Sequence, residues 1–313
     1  MRWFAVPALL LTFFLGSAAK AGAPSPLLQL PQAPPQASPA SPEPASTVSG
    51  VTVVAPKRAT VQDFIWRAGA AASNGQLARW REPICPRAEG VPQVYANYFE
   101  NRVRGAARSV KAPVAPDKCD ANLVIYFTPD PGKTVVGLSR KNSFVFGGGQ
   151  FKAALASVAA QEPVFWTHNV FSTPADGSAG QRLCRRNNCY LQVDHVFASR
   201  LQTSVVDSIG VTAVFVDTRK IQGLKFDQVS DYIAMIALGQ FKPDDVSTDM
   251  PTILNLFRAR GAGKPMPSEL TGWDLAYLSG LYATQSNLSA IAQRGRIYQN
   301  LRQGPGISDD PAR

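Results

Sequence analysis

Val211-Thr212-Ala213-Val214-Phe215-Val216-Asp217 places six apolar or β-branched residues in a row before its first charge. Such a run reads as a strand buried in a sheet. Arg200-Leu201-Gln202-Thr203-Ser204-Val205-Val206 has the same character. The link between them, Asp207-Ser208-Ile209-Gly210, is short enough for a hairpin. After Gly223 the period changes. Phe226, Val229, Tyr232, Ile233, Ile236 and Ala237 fall at helical spacing, and Gly239 stops the run. A buried sheet followed directly by an apolar helix sets the frame for the rest of the chain.

Upstream, Thr60 caps a predicted helix with Val61, Phe64, Ile65 and Ala68 on one face. A second helix is predicted from Val91 to Val110. Its apolar stripe is Val94, Tyr95, Tyr98, Phe99, Val103 and Ala106. Asn122 to Thr128 reads as a strand ended by the breakers Pro129-Asp130-Pro131-Gly132. Phe151 to Ala160 reads as helix. Pro163 to Trp166 and Cys189 to Val193 read as strands around a polar loop. Downstream, helices are predicted around Thr252 to Arg258, Thr271 to Ala283 and Leu288 to Leu301, with Thr271 and Asp274 forming a capping box. The expected class is α+β: a mixed sheet with helices and a helical C-terminal part.

The ends of the chain read differently. Arg2, the apolar run from Ala5 to Leu15 and the small residues Ser17-Ala18-Ala19 and Ala21 have the layout of a secretory signal, residues 1–21. Its apolar part is about a dozen residues, short of the roughly 20 a spanning helix needs. Residues 22–46 are rich in Pro, Ala, Ser and Gln and read as a linker. Residues 47–303 form the expected single globular domain, and 304–313 a frayed tail. The expected location is periplasmic or secreted, with no membrane span after signal cleavage.

Export makes disulfides the default reading of Cys85, Cys119, Cys184 and Cys189. Four cysteines allow three pairings. Cys85–Cys119 would tie the segment before the second helix to the following strand, at a gain of about 3–4 kcal/mol. Cys184–Cys189 would close a short turn. A cysteine zinc site needs tighter spacing and histidine partners, so no metal is expected there.

The formal charge is +10 and becomes +8 once Arg2 and Lys20 leave with the signal. The basic residues are scattered: Arg102, Arg104, Arg108 and Lys111; Arg182, Arg185 and Arg186; Arg294, Arg296 and Arg302. That distribution reads as a solvated basic face. The partner it suits is an envelope protein or an anionic envelope component, not nucleic acid.

The usual catalytic signatures are missing. His168 and His195 are the only histidines, and neither sits in an H-E-x-x-H frame. No G-x-S-x-G elbow is present. Gly261-Ala262-Gly263-Lys264 lacks the first glycine of a phosphate loop, and Pro265 stands where Ser or Thr would bind magnesium. Gly147-Gly148-Gly149 lacks a dinucleotide-binding frame. Asp244, Asp245 and Asp249 lack the Gly and Glu of a calcium loop. No cofactor is expected. The acids to test for catalysis are Asp217, at a strand end beside Arg219, and Asp231 on the next helix, with His195 as a third candidate.

The segment Val211 to Tyr282 resembles a group of uncharacterised exported proteobacterial proteins related to zincin-type metalloproteases. In them a buried strand leads to a helix reading H-E-x-x-Q-x-L-G, followed by an L-T-x-x-D-x-x-x-L-x-x-L-Y helix. The corresponding pieces here are Asp231 to Gly239 and Leu270 to Tyr282. Aligned on Leu238-Gly239, Tyr232 stands in place of the metal-binding His and Ile233 in place of the catalytic Glu. The resemblance therefore implies a degenerate zincin-like scaffold without its metal. The front half, from Leu77 to Pro86 and from Cys119 to Phe127, looks like uncharacterised exported proteins of alphaproteobacteria. The functional expectation is an exported envelope protein that binds rather than reacts, with Trp166, Tyr232, Trp273 and Tyr277 lining either a groove or the core. The alternative is a peptidase-like hydrolase using Asp217, Asp231 or His195.

Overall fold

The computed structural model describes residues 56–69, 76–141, 145–146, 150–176, 181–185, 188–192, 202–241 and 250–304. All lie in the unit Val53–Arg313. Residues 1–55 (which include the expected signal and linker), the three consecutive glycines, His195, the Asp244 cluster and the residues after Gly304 fall outside these residues. So do the side chains of Cys184 and Cys189.

In chain order the elements are α1 (Arg58–Ala68), β1 (Arg79–Trp80), β2 (Pro86–Glu89), α2 (Gln93–Ser109), β3 (Leu123–Thr128), α3 (Pro131–Lys141), α4 (Gln150–Ala159) and β4 (Val164–Pro174). Then come β5 (Gln181–Arg185), β6 (Asn188–Gln192), β7 (Val205–Asp217), α5 (Phe226–Leu238), α6 (Leu256–Gly261), α7 (Gly272–Ala283) and α8 (Ala290–Gln303). The expected α+β class holds, with a mostly parallel sheet.

β7 is the spine of a five-stranded sheet. One edge pairs in parallel with β1 and then with β3, which pairs with β2; the other edge pairs antiparallel with β4. The expected hairpin around residues 207–210 is therefore wrong: Val205 to Asp217 is one continuous strand. Gly210 marks an irregularity in the ladder rather than a turn. Asn169 faces Val211 while Val170 faces Ile209, so Gly210 is the extra residue of a bulge. A Cβ on Gly210 would lie 2.3 Å from the Phe171 ring. We expect Gly210→Val to destabilise the fold by about 2–3 kcal/mol through overpacking. Adding Phe171→Ala should recover part of that loss in urea unfolding, and no recovery would exclude this contact as the cause.

Alternation along β7 and β3 divides the core in two. Val214, Val216, Leu123, Ile125 and Phe127 join α1, α2, α5, α7 and α8 on one face. Ala213 and Phe215 join Val135, Phe146 and Ala154 of the α3–α4 side on the other. α5 is the central helix: every residue from Gln228 to Leu238 is buried. Its last carbonyls are satisfied from outside the helix. Trp80 Nε1 donates to Ala237 O at 2.7 Å, and the Tyr282 hydroxyl donates to Leu238 O at 2.8 Å.

The Cys85–Cys119 disulfide is formed, with Cα atoms 6.1 Å apart. It links the segment ahead of β2 to the segment ahead of β3. The buried Arg104, expected on a solvated face, donates to Ala115 O at 2.7 Å and lies 3.6 Å from Cys119 Sγ. In the β5–β6 ladder Cys184 is in register with Cys189.

The outer edge of β4 meets no other strand among the described residues. Gln150, the first residue of α4, caps it at one point. Its Oε1 accepts the His168 N–H at 2.7 Å and its Nε2 donates to His168 O. A side-chain amide thus stands in for one residue of a neighbouring strand.

Candidate functional site

The two apolar stripes read from the sequence on α2 and α5 are only partly buried. On α2 the buried line is Ala96, Phe99, Val103, Ala106 and Ala107. Val94, Tyr95 and Tyr98 face outward. On α5, Phe226 at the first turn does the same. Tyr95, Tyr98 and Phe226 are 42%, 37% and 52% exposed. They form one cluster: Tyr95 and Phe226 stack with centroids 5.2 Å apart, and Tyr98 lies 5.9 Å from Phe226. By contrast Tyr232, Trp273 and Tyr277 are core residues, and Trp166 packs partly buried against the same core. Of the two alternatives for these aromatics, groove or core, the core therefore holds for Tyr232, Trp273 and Tyr277.

Tyr95, Tyr98, Arg102, Gly105 and Ser109 recur at three- and four-residue spacing, so they share one face of α2. Beside that face lies a groove of about 750 Å³, lined by Tyr98, Arg102, Gly105 and Ser109 of α2, by Asp227 and Asp231 of α5 and by Glu269, Leu270 and Leu275. Gly105 leaves its wall open, since a Cβ there would meet nothing within 4 Å. The Tyr98 hydroxyl donates to Asp227 Oδ1, which joins the aromatic cluster to the groove.

An ion pair forms the floor. Arg102 Nε donates to Asp231 Oδ1 at 2.6 Å and its Nη2 to Oδ2 at 2.9 Å. Asp231 Oδ2 also accepts the Leu270 N–H at 2.6 Å. The Asp231 hydrogen bond holds the Arg102 guanidinium above its ordinary pKa. Asp227 and Glu269 approach the same guanidinium more loosely, at 3.9 and 3.6 Å.

Asp217 is elsewhere. It shares the sheet face of Ala213 and Phe215, opposite α5, because side chains alternate along β7. There it accepts from the Arg219 backbone N–H at 3.0 Å and from its guanidinium at 3.0 and 2.8 Å. That hydrogen bonding holds its carboxyl below the usual range. It borders a cleft of about 110 Å³ shared with Asp130, Glu162 and Lys220. Asp217 and Asp231 thus do not face one another, and each is engaged by its own arginine.

His168 is buried, with Nδ1 2.8 Å from Thr212 Oγ1. Its Nε2 has no hydrogen-bond partner among the described residues, and the backbone of Ile236 and Gly239 lies near the ring. Burial pushes its pKa down from 6.5 to about 4. The folded state thus keeps it neutral while the unfolded chain protonates it below 6.5. Stability should be level above that pH and fall as pH drops toward 4, by about 2 kcal/mol at pH 5 from this group. Urea unfolding of the parent and His168→Asn at pH 7.5 and pH 5 checks this. Identical slopes for the two chains would contradict it.

Tyr232 and Ile233, the positions set against a metal His and a catalytic Glu by the resemblance, both point into the core. The Tyr232 ring meets Phe257 edge-on at 4.9 Å. Among the described residues no three His, Cys, Asp or Glu side chains converge as a metal set requires. No helix there is long and apolar enough to cross a membrane. No protein-family model, curated protein or solved structure matches the chain.

Proposed function

We propose that this chain is an exported envelope protein that binds a partner through the α2–α5 groove and performs no chemistry of its own. The observation that carries this reading is the exposed Tyr95–Tyr98–Phe226 cluster, joined by the Tyr98–Asp227 hydrogen bond to a groove whose buried acid is already committed to Arg102. Aromatic rings left in solvent beside hydrogen-bonding groups are the ordinary make-up of a recognition surface. A general base needs a free carboxylate within reach of a proton. Asp231 instead spends its oxygens on Arg102 and Leu270, and Asp217 on Arg219. The signal, the linker and the Cys85–Cys119 bridge fit a domain held at a distance from its exit point in an oxidising compartment.

The test uses the mature chain with a panel of peptides and oligosaccharides. Hydrogen exchange should slow at residues 95–102 and 226–231 with at least one member, and no member should be turned over. Turnover that disappears in a folded Asp217→Asn or Asp231→Asn chain would overturn the reading.

A further inference from the structure

Resting on that reading, we infer that the groove takes an arginine-bearing segment of a partner polypeptide. The argument begins with charge. Asp227, Asp231 and Glu269 surround a single guanidinium, Arg102. Asp231 alone neutralises it through a two-point contact. Asp227 and Glu269 are exposed and remain in excess, in a chain whose overall charge is +10. The groove is thus an acidic inversion on a basic molecule, and it attracts cations while repelling anions. The anionic envelope component suited to the overall charge does not fit here.

The rings narrow the choice of cation. Tyr95 and Phe226 stack on each other and stay about half exposed, with the Tyr98 ring alongside. A planar guanidinium stacks on such faces and pairs with carboxylates through a fork, whereas an ammonium is a hydrated point charge. A side chain lying across Phe226 would direct its fork at Asp227, the next residue. Arg102 already shows the fork geometry that this cradle favours. The groove, at about 750 Å³, has room for several residues rather than one ion. The occupant is a different molecule from the chain's own N-terminal stretch, because Ala21 to Pro56 contains no lysine or arginine.

Titration of the mature chain with three hexapeptides tests this: arginine alternating with glycine, lysine with glycine, and glutamate with glycine. The arginine peptide should bind and protect residues 95–102 and 226–231 from exchange. The lysine peptide should bind severalfold more weakly, and the glutamate peptide not at all. Asp227→Asn with Glu269→Gln should weaken arginine-peptide binding about tenfold, as should salt raised well above the physiological range. Phe226→Ala should weaken it about fivefold. These positions are exposed, so unchanged melting temperatures would show that the fold is intact. Equal affinity for arginine and lysine peptides, or affinity untouched by the groove variants, would overturn the inference. Protection of the groove by the glutamate peptide or a neutral oligosaccharide alone would overturn it too, while leaving the binding reading standing. Hydrolysis of any peptide would remove that reading as well.

Discussion

Arg102→Ala should destabilise the fold by about 3–4 kcal/mol, and Asp231→Ala by only about 2 kcal/mol, although the two residues share one ion pair. The asymmetry follows from where each charge sits. The Asp231 side chain is 0% exposed and that of Arg102 is 37% exposed. Removing the arginine strands a carboxylate that no water reaches, with the Leu270 N–H as its remaining partner. Removing the aspartate frees a guanidinium that turns toward solvent and toward Asp227 and Glu269. The double variant should therefore be more stable than Arg102→Ala alone. Urea unfolding of the four chains measures all three differences. Equal single-variant losses would mean that the pair is not desolvated on one side. A double variant worse than either single would mean that packing, not charge, holds the two helices together. The outcome also bears on function, since a carboxylate that must stay paired to keep α2 against α5 is a poor candidate for proton transfer.

The sequence disclosed these elements unevenly, and the reasons are local. Period is a strong signal where one face is buried. Val61, Phe64, Ile65 and Ala68 of α1 are the four residues that pack inward, as their spacing predicts. The β3 strand forms where expected, and it alternates buried and half-buried residues. Punctuation ended β3 at Thr128 as expected but gave no sign of the helix that follows: Pro131 opens α3 as its first helical residue, and Asp130 Oδ1 accepts the Lys133 N–H at 3.0 Å. Gly210 reads as part of a turn, but it sits in a long strand where the Phe171 ring leaves no room for a side chain. Thr60 lies within α1 rather than capping it, because Lys57 is the residue ahead of the first turn.

The groove was harder to see than the fold. Tyr95, Tyr98 and Phe226 continue the apolar spacing of their helices, and spacing alone does not say how wide the packed face is. The alanines do. Ala96, Ala106 and Ala107 lie on the buried side of α2, where close helix approach demands small residues. That leaves the large aromatic rings one step round the helix on its flank. Arg102 is 129 residues from Asp231 along the chain. No local pattern links them, so the pairing that decides the chemistry of the site is a property of the fold alone.

Asp274→Ala should cost about 4 kcal/mol, well above the roughly 1 kcal/mol expected when a helix cap such as Thr271 is lost to alanine. The capping box was legible: Thr271 Oγ1 accepts the Asp274 N–H at 3.2 Å, and Asp274 Oδ2 accepts the Thr271 N–H at 2.9 Å. What the motif does not show is that the same carboxylate reaches a second segment. It accepts the Ile253 N–H at 2.9 Å and the Thr252 hydroxyl, and a further bond from Thr271 Oγ1 at 2.8 Å. Asp274 is almost wholly buried, and burial pushes its carboxyl above the ordinary range against the pull of those donors. Alanine therefore leaves buried donors on two segments without an acceptor, whereas Thr271→Ala removes the two bonds of one hydroxyl and leaves the carboxylate in place. Asp274→Asn keeps one acceptor oxygen and should fall between the two. Thermal and urea unfolding of the three variants give the order directly. A loss for Asp274→Ala no greater than for Thr271→Ala would show that the bonds to Thr252 and Ile253 do not hold that segment. The larger loss would identify this carboxylate as the joint that fixes the start of α7, and with it Leu270 and Glu269, beside the groove.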